Sequence, residues 1–153
     1  MRPIVTTTDL GAAVLLDVNT LLALVWDQHV HHQAAWRHFE QLDGGYATTP
    51  VTESGLVRLL LTRAVVGREV SAAEALGALR GIRSQPAWVW VDDDASLDTA
   101  VIDVRVLVGR REVTDLHLVD LAARHEMRLA TFGSSLERCL APADRRHVTV
   151  WTS

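Results

Sequence analysis

Residues 12–18 read AAVLLDV, an unbroken apolar run that ends in a single charge, Asp17. A run this short, with no polar alternation, suits a strand buried on both faces of a parallel sheet. Working outward from it, helical patterns alternate with further short apolar runs. Residues 29–42 (HVHHQAAWRHFEQL) put Ala35, Phe39 and Leu42 on one helical face, and Gly44-Gly45 breaks the pattern. Tyr46 to Thr48 reads as a strand. Thr49 then caps a helix with Pro50 at its first position, running to about Val66 and stopping at Gly67. Ser71-x-x-Glu74 is a capping box that opens another helix, to about Arg83. Beyond it the patterns predict a strand at 87–91 and helices at 95–108 and 115–126, the second capped by Thr114. A strand at 128–132, a short helix at 134–140 and an edge strand at 147–151 follow. This order predicts an α/β fold: a three-layer α/β/α sandwich on a mainly parallel sheet of four or five strands.

Length and composition narrow the function. At 153 residues the chain suits one domain, 1–153, with residues 1–11 as a loose arm. No apolar run approaches the roughly 18 residues of a membrane span, and MRPIVTTTDL does not read as a signal peptide. With Cys139 as the one cysteine, a disulfide framework and a cysteine-based zinc site are excluded, and the expected compartment is the cytoplasm. All 15 basic residues are arginines, which excludes Schiff-base, P-loop and triad chemistry that needs lysine. A net charge of −4 makes a poor generic nucleic-acid binder, so any contact with nucleic acid is expected to be local and metal-assisted.

Ligands of open parallel sheets sit beyond the carboxyl ends of the strands, and three acids fall there. Asp17 ends the first strand. Glu53 opens the helix after the second and heads the stripe Leu56, Val57, Leu60. Asp115 heads the stripe Leu118, Val119, Ala122. Both helical acids therefore face inward. Three inward carboxylates near one another repel unless a cation joins them, and hard oxygen ligands suit Mg2+ (or Mn2+). The alternative is that Glu53 and Asp115 are ordinary first-turn acids favoured by the helix dipole; Asp17, closing an apolar strand, has no such reason to be there.

The stretches LLDVNTLLAL, TTPVTESGLVRLL and VTDLHLVDLAARHEMRLATF resemble the three acidic motifs of PIN-domain ribonucleases, and most of all the VapC toxins of bacterial toxin–antitoxin pairs. HHQAAWRHF and the VTVWT tail fit that family as well. The resemblance covers nearly the whole chain from residue 13. It implies a PIN-like fold and a Mg2+-dependent (or Mn2+-dependent) endoribonuclease that hydrolyses RNA phosphodiester bonds. Asp17, Glu53 and Asp115 would hold the metal and position the attacking water, with Asn19, Thr114 and Ser134 around them. It further implies a homodimer and a cognate VapB-type antitoxin that neutralises the toxin. One departure stands out: many members carry an acid after the Thr-Phe of the fourth strand, where this chain has Gly133. That supports an alternative, a catalytically degenerate PIN domain that binds RNA or antitoxin without cleavage. Asp17-Val18-Asn19-Thr20 also resembles a haloacid-dehalogenase nucleophile motif, but the catalytic lysine of that family cannot exist here.

Other polar residues have plainer readings. Arg110 and Arg111 are RNA-phosphate candidates as much as a solvated turn. Arg58 reads as an internal or partner ion pair. Asp120 and Arg124, at i,i+4 spacing, read as a surface pair. Asp92-Asp93-Asp94 reads as capping and solvation, the histidines between 29 and 38 as structural rather than zinc-binding, and the five tryptophans as core or interface.

Overall fold

The apolar run forms the central strand. Val14–Leu16 (β1) is buried along its whole length, flanked on one side by β2 (Tyr46–Thr48) and on the other by β4 (Arg128–Thr131). The computed structural model describes residues 13–153, so the arm expected over 1–11 lies outside the described residues. With β3 (Trp88–Trp90) and β5 (Val148–Val150) at the edges, the order is β3-β2-β1-β4-β5, and every pairing is parallel.

Alternation along the strands builds two cores. Leu15, Ala47, Val89 and Leu129 face one way and pack on Leu118, Val119 and Ala122 of α6 (Val113–Arg124). Val14, Leu16, Tyr46 and Ala130 face the other way. They meet α1 (Val18–Val25), α3 (Pro50–Leu60) and α5 (Ala72–Arg83) through Leu21, Leu56, Ala75 and Ile82. The result is the expected three-layer sandwich. Each fully buried leucine in these cores contributes about 1.5–3 kcal/mol.

Local chemistry explains the boundaries. Ser71 and Glu74 form the expected reciprocal box, with Glu74 N–H donating to Ser71 Oγ at 3.1 Å and Ser71 N–H to Glu74 Oε2 at 2.8 Å. Gly67 terminates the preceding helix at φ 75°, a left-handed conformation that favours glycine. The single helix expected from Pro50 to Val66 is two, α3 and α4 (Arg63–Val66). Between them the Thr62 hydroxyl donates to the Arg58 carbonyl at 2.7 Å, while the Thr62 N–H turns to Leu59. The helix expected over 29–42 is the shorter α2 (His32–Glu40).

Further expectations fail. Residues 95–108 are not a helix but two 3-10 turns, Leu97–Thr99 and Val104–Val106. Side chains capture the backbone there: Ser96 Oγ accepts from Asp98 N–H, Asp103 Oδ1 from Arg105 N–H and Asp120 Oδ1 from Val101 N–H. Thr114 is also not the cap of α6. Glu112 holds that position and Thr114 is the exposed second helical residue.

Asp120 is fully buried rather than at the surface, accepting from Val101 N–H at 2.7 Å and Arg124 Nε at 3.0 Å. Asp93 and Asp94 lie 2.7 and 3.0 Å from His117 and His125 of the same region. Together these contacts fasten the irregular segment to α6. α7 (Ser134–Cys139) and a 3-10 turn (Pro142–His147) lead to β5. Among the described residues no helix is long and apolar enough to cross a membrane.

Candidate active site

From β1 the chain winds to β2 and β3 on one side, then returns to place β4 and β5 on the other. The winding reverses between β1 and β4, and a crevice opens beyond their carboxyl ends. Asp17 stands at that point, tied to β4 by its N–H donating to Ala130 O at 3.2 Å. It is also the N-cap of α1, a helix in a stretch the sequence left unassigned. Its Oδ1 accepts from Thr20 N–H at 2.7 Å, and the Thr20 hydroxyl reaches the same Ala130 carbonyl.

Asp17 shares a recess of about 430 Å³ with Asp115, from the first turn of α6. Asn19, His29, Val30, His31, Phe132 and Ser135 help to line it. Asp17 is 7% exposed, and burial pushes its carboxyl above the ordinary value although Thr131 and Thr20 donate to it. Asp115 is half-buried and pushed from 3.8 to about 6, by burial first and then by Asp17 and Glu112. The Asp17 charge thus raises the cost of ionising Asp115, an electrostatic condition that a cation relieves.

Glu53 does not join them. It is 8% exposed at the head of α3, with Oε1 accepting from Thr48 Oγ1 at 2.6 Å. Its Oε2 lies 3.5 Å from Arg83 Nη1, whose guanidinium sits over Trp88 (4.5 Å) and Trp90 (5.3 Å). Glu53 faces a separate apolar groove of about 800 Å³ with Leu76, Leu79 and Trp90. Among the described residues no three acids, histidines or cysteines converge closely enough to hold one metal ion. Two carboxylates and an amide are nonetheless a suitable set for Mg2+, which keeps several waters and commonly takes only one or two carboxylates from protein. The residues present fit that ion at Asp17, Asp115 and Asn19.

Thr114 lines a separate cleft of about 420 Å³ with Val18, Ser54, Gly55 and Arg58. Arg58 is exposed and, among the described residues, has no ion-pair partner. Ser134 accepts from Arg138 at 3.3 Å, and Ser135 is the serine that lines the recess. Arg110 and Arg111 are exposed in the loop before α6 and do not line it. Gly133, at φ −83°, donates its N–H to Thr131 Oγ1 at 2.9 Å, and an added Cβ would lie 3.3 Å from that hydroxyl.

Sequence reasoning missed Arg83 as the partner of Glu53 and His29, Val30 and His31 as a wall of the recess. The first pairing spans 30 residues and leaves no local signal. The second is a turn just ahead of α2, and turn residues carry no periodicity.

No protein-family model matches the chain. It is 43% identical over 124 residues to Ribonuclease VapC39 of Mycobacterium tuberculosis, covering 80% of this chain and 89% of that protein. It is 40% identical over 123 residues to Ribonuclease VapC38 of the same organism, covering 80% and 86%. Ribonuclease VapC44, also from Mycobacterium tuberculosis, is 34% identical over 137 residues, covering 88% and 96%. With identity of this order across four-fifths or more of its length, in a parallel α/β sandwich, the chain belongs to the VapC-type PIN-domain toxins, the VapC ribonucleases.

Proposed function

We propose that the protein is an endoribonuclease toxin, dependent on Mg2+ (or Mn2+), that hydrolyses RNA phosphodiester bonds. The observation that carries this is the convergence of Asp17 and Asp115 in one recess at the sheet's point of reversal, each pushed toward the protonated form. The curated relatives are named ribonucleases, which supplies the substrate class. Asp17, Asp115 and Asn19 would hold the ion. When bound, it would lower the pKa of a water and offset charge gathering on the phosphate.

The chain's own residues do the rest. Thr20 and Thr131 fix Asp17 by hydrogen bonds, so its position is set before substrate arrives. Asp115, the less buried of the two, would accept the proton of the attacking water. Glu53, held by Thr48 and Arg83, anchors α3 beside β2, and Thr114 borders the next cleft rather than the carboxylates. Arg110 and Arg111, exposed in the loop before α6, would supply positive charge for the RNA backbone. A VapB-type antitoxin holds the toxin inactive, the toxin acts as a homodimer, and it works in the cytoplasm.

Two observations favour a degenerate domain that binds RNA or antitoxin without cutting. Gly133 leaves the lip of the recess without an acid, and Glu53 is already paired.

Purified protein, freed of any partner, is incubated with total RNA in EDTA, MgCl2 or MnCl2, beside Asp115→Asn. Discrete metal-dependent fragments absent in the variant support the nuclease. A folded wild type that binds metal and yields no fragments supports the degenerate domain, and Gly133→Asp then tests whether a third acid restores cleavage.

A further inference from the structure

The recess has a second wall whose composition the carboxylates do not explain. The turn His29–Val30–His31 lines it together with Phe132 from the end of β4. The His31 ring lies flat on Phe132, with centroids 4.5 Å apart and planes within 5°. Phe132 is held edge-on by Trp151 (6.0 Å) and His38 (6.4 Å), and Ser153 Oγ holds His31 Nδ1 at 2.8 Å. These contacts preorganise the stacked pair. His29 stands 5.7 Å from His31, and its Nδ1 accepts from the His31 N–H, which leaves the proton of the neutral ring on Nε2. Burial, with His31 and His32 close by, holds His29 below the ordinary histidine value.

Clamping β4 and β5 to α2 accounts for Phe132, Trp151 and His38. It does not account for Val30, which is 86% exposed on the rim of the same recess. Among the described residues no arginine lines the recess, so this wall offers flat, weakly polar surface and an N–H donor rather than a phosphate grip. The separate cleft lined by Thr114 carries Arg58 and the hydroxyls of Ser54 and Thr114.

We propose that the His29–Val30–His31 turn with Phe132 is a nucleobase subsite, taking the base beside the scissile phosphate. His31 and Val30 supply the packing surface, and His29 supplies an edge contact that discriminates bases. The assignment rests on the nuclease reading above, because the carboxylates in the same recess make the RNA strand its ligand.

Binding separates this inference from catalysis. Fluorescence anisotropy with labelled A, C and U decanucleotides is measured in an Asp115→Asn background, where nothing is cut. His31→Ala should weaken binding about tenfold and narrow the spread among the three RNAs, as loss of one stacking platform does. His31→Tyr, which restores a flat aromatic face, should recover most of it. Val30→Ser, at an exposed position, should weaken binding about twofold with unchanged Tm. His29→Ala should reorder the preference among the bases. The subsite is overturned if the spread among the RNAs is the same in every variant, or if His31→Tyr is no better than His31→Ala. Should His31→Ala fail to fold, Val30→Ser and His29→Ala decide alone. Cleavage of total RNA by the protein with Asp115 intact is scored separately. Base-dependent binding without cleavage keeps the subsite and removes the nuclease. Cleavage with variant-independent binding does the reverse, and no RNA binding at all removes both.

Discussion

Asp115→Asn should make the metal-free protein more stable. The carboxyl is pushed from 3.8 to about 6 by burial, Asp17 and Glu112, so at pH 7.5 the folded state carries an ionised group that it disfavours. That displacement corresponds to about 3 kcal/mol at full value, and solvent screening of a half-buried group reduces it to about 1–2 kcal/mol. The sign follows from the raised folded value. The penalty is complete above about pH 6, is relieved as pH falls through that value, and is gone below the unfolded value of 3.8. Asparagine removes the charge at every pH. In EDTA at pH 7.5 the variant's Tm should therefore rise by about 3–6 °C, about 2–4 °C per kcal/mol for a domain of this size. About half of that gain should remain at pH 5 and little at pH 4. Adding MgCl2 should reverse the ranking, because only the wild type gains stability from an ion that binds the folded state. Differential scanning calorimetry at the three pH values, with and without metal, makes the comparison. A variant less stable than wild type in EDTA at pH 7.5, or a difference that does not shrink on acidification, would refute the electrostatic account of the recess.

Asp17→Asn should abolish the Mg2+-induced rise in Tm, whereas Glu53→Gln should retain most of it, since Glu53 is committed to Thr48 and Arg83; equal loss in both would place Glu53 among the ligands. Arg58→Gln should weaken RNA binding for all sequences alike and reduce the slope of log K against log salt by about one, as loss of one phosphate contact does; an unchanged slope removes Arg58 from the RNA path. Asp120→Ala should cost about 1–3 kcal/mol by leaving Arg124 Nε and the Val101 N–H without their acceptor, seen as a fall in Tm of about 5 °C; an unchanged Tm would mean that solvent replaces the carboxylate.

Where the chain's local chemistry is self-sufficient, its structure could be read directly. The apolar run before Asp17, the Ser71–Glu74 box and the glycine at 67 each carry a physical demand that only one local structure meets. Asp17 and Asp115 line one recess, and their placement was readable because a strand's carboxyl end and a helix's inward stripe are properties of spacing. The failures lie where distant groups decide. Residues 95–108 look helical by composition, yet Asp120 and the side chains of Ser96 and Asp103 take their backbone donors. Asp120 reads as a surface residue from its i,i+4 spacing to Arg124, although it follows buried Leu116 by four residues and so shares its inward face. Glu53 met its inward expectation but does not line the recess of Asp17 and Asp115, and its partner Arg83 comes from another helix.

Asp17 holds two offices at once: its Oδ1 starts α1, and its charge belongs to the recess. Loss-of-function changes at this codon should accordingly fall into two kinds. Asparagine keeps a capping oxygen and removes only the charge, giving a folded, silent toxin. Alanine also leaves the Thr20 amide uncapped at a helix N-terminus, a loss of about 1 kcal/mol. In a selection for survival both would pass, but only the asparagine form should accumulate to normal levels and still occupy a partner. Dominant-negative behaviour would then separate alleles that look identical by viability.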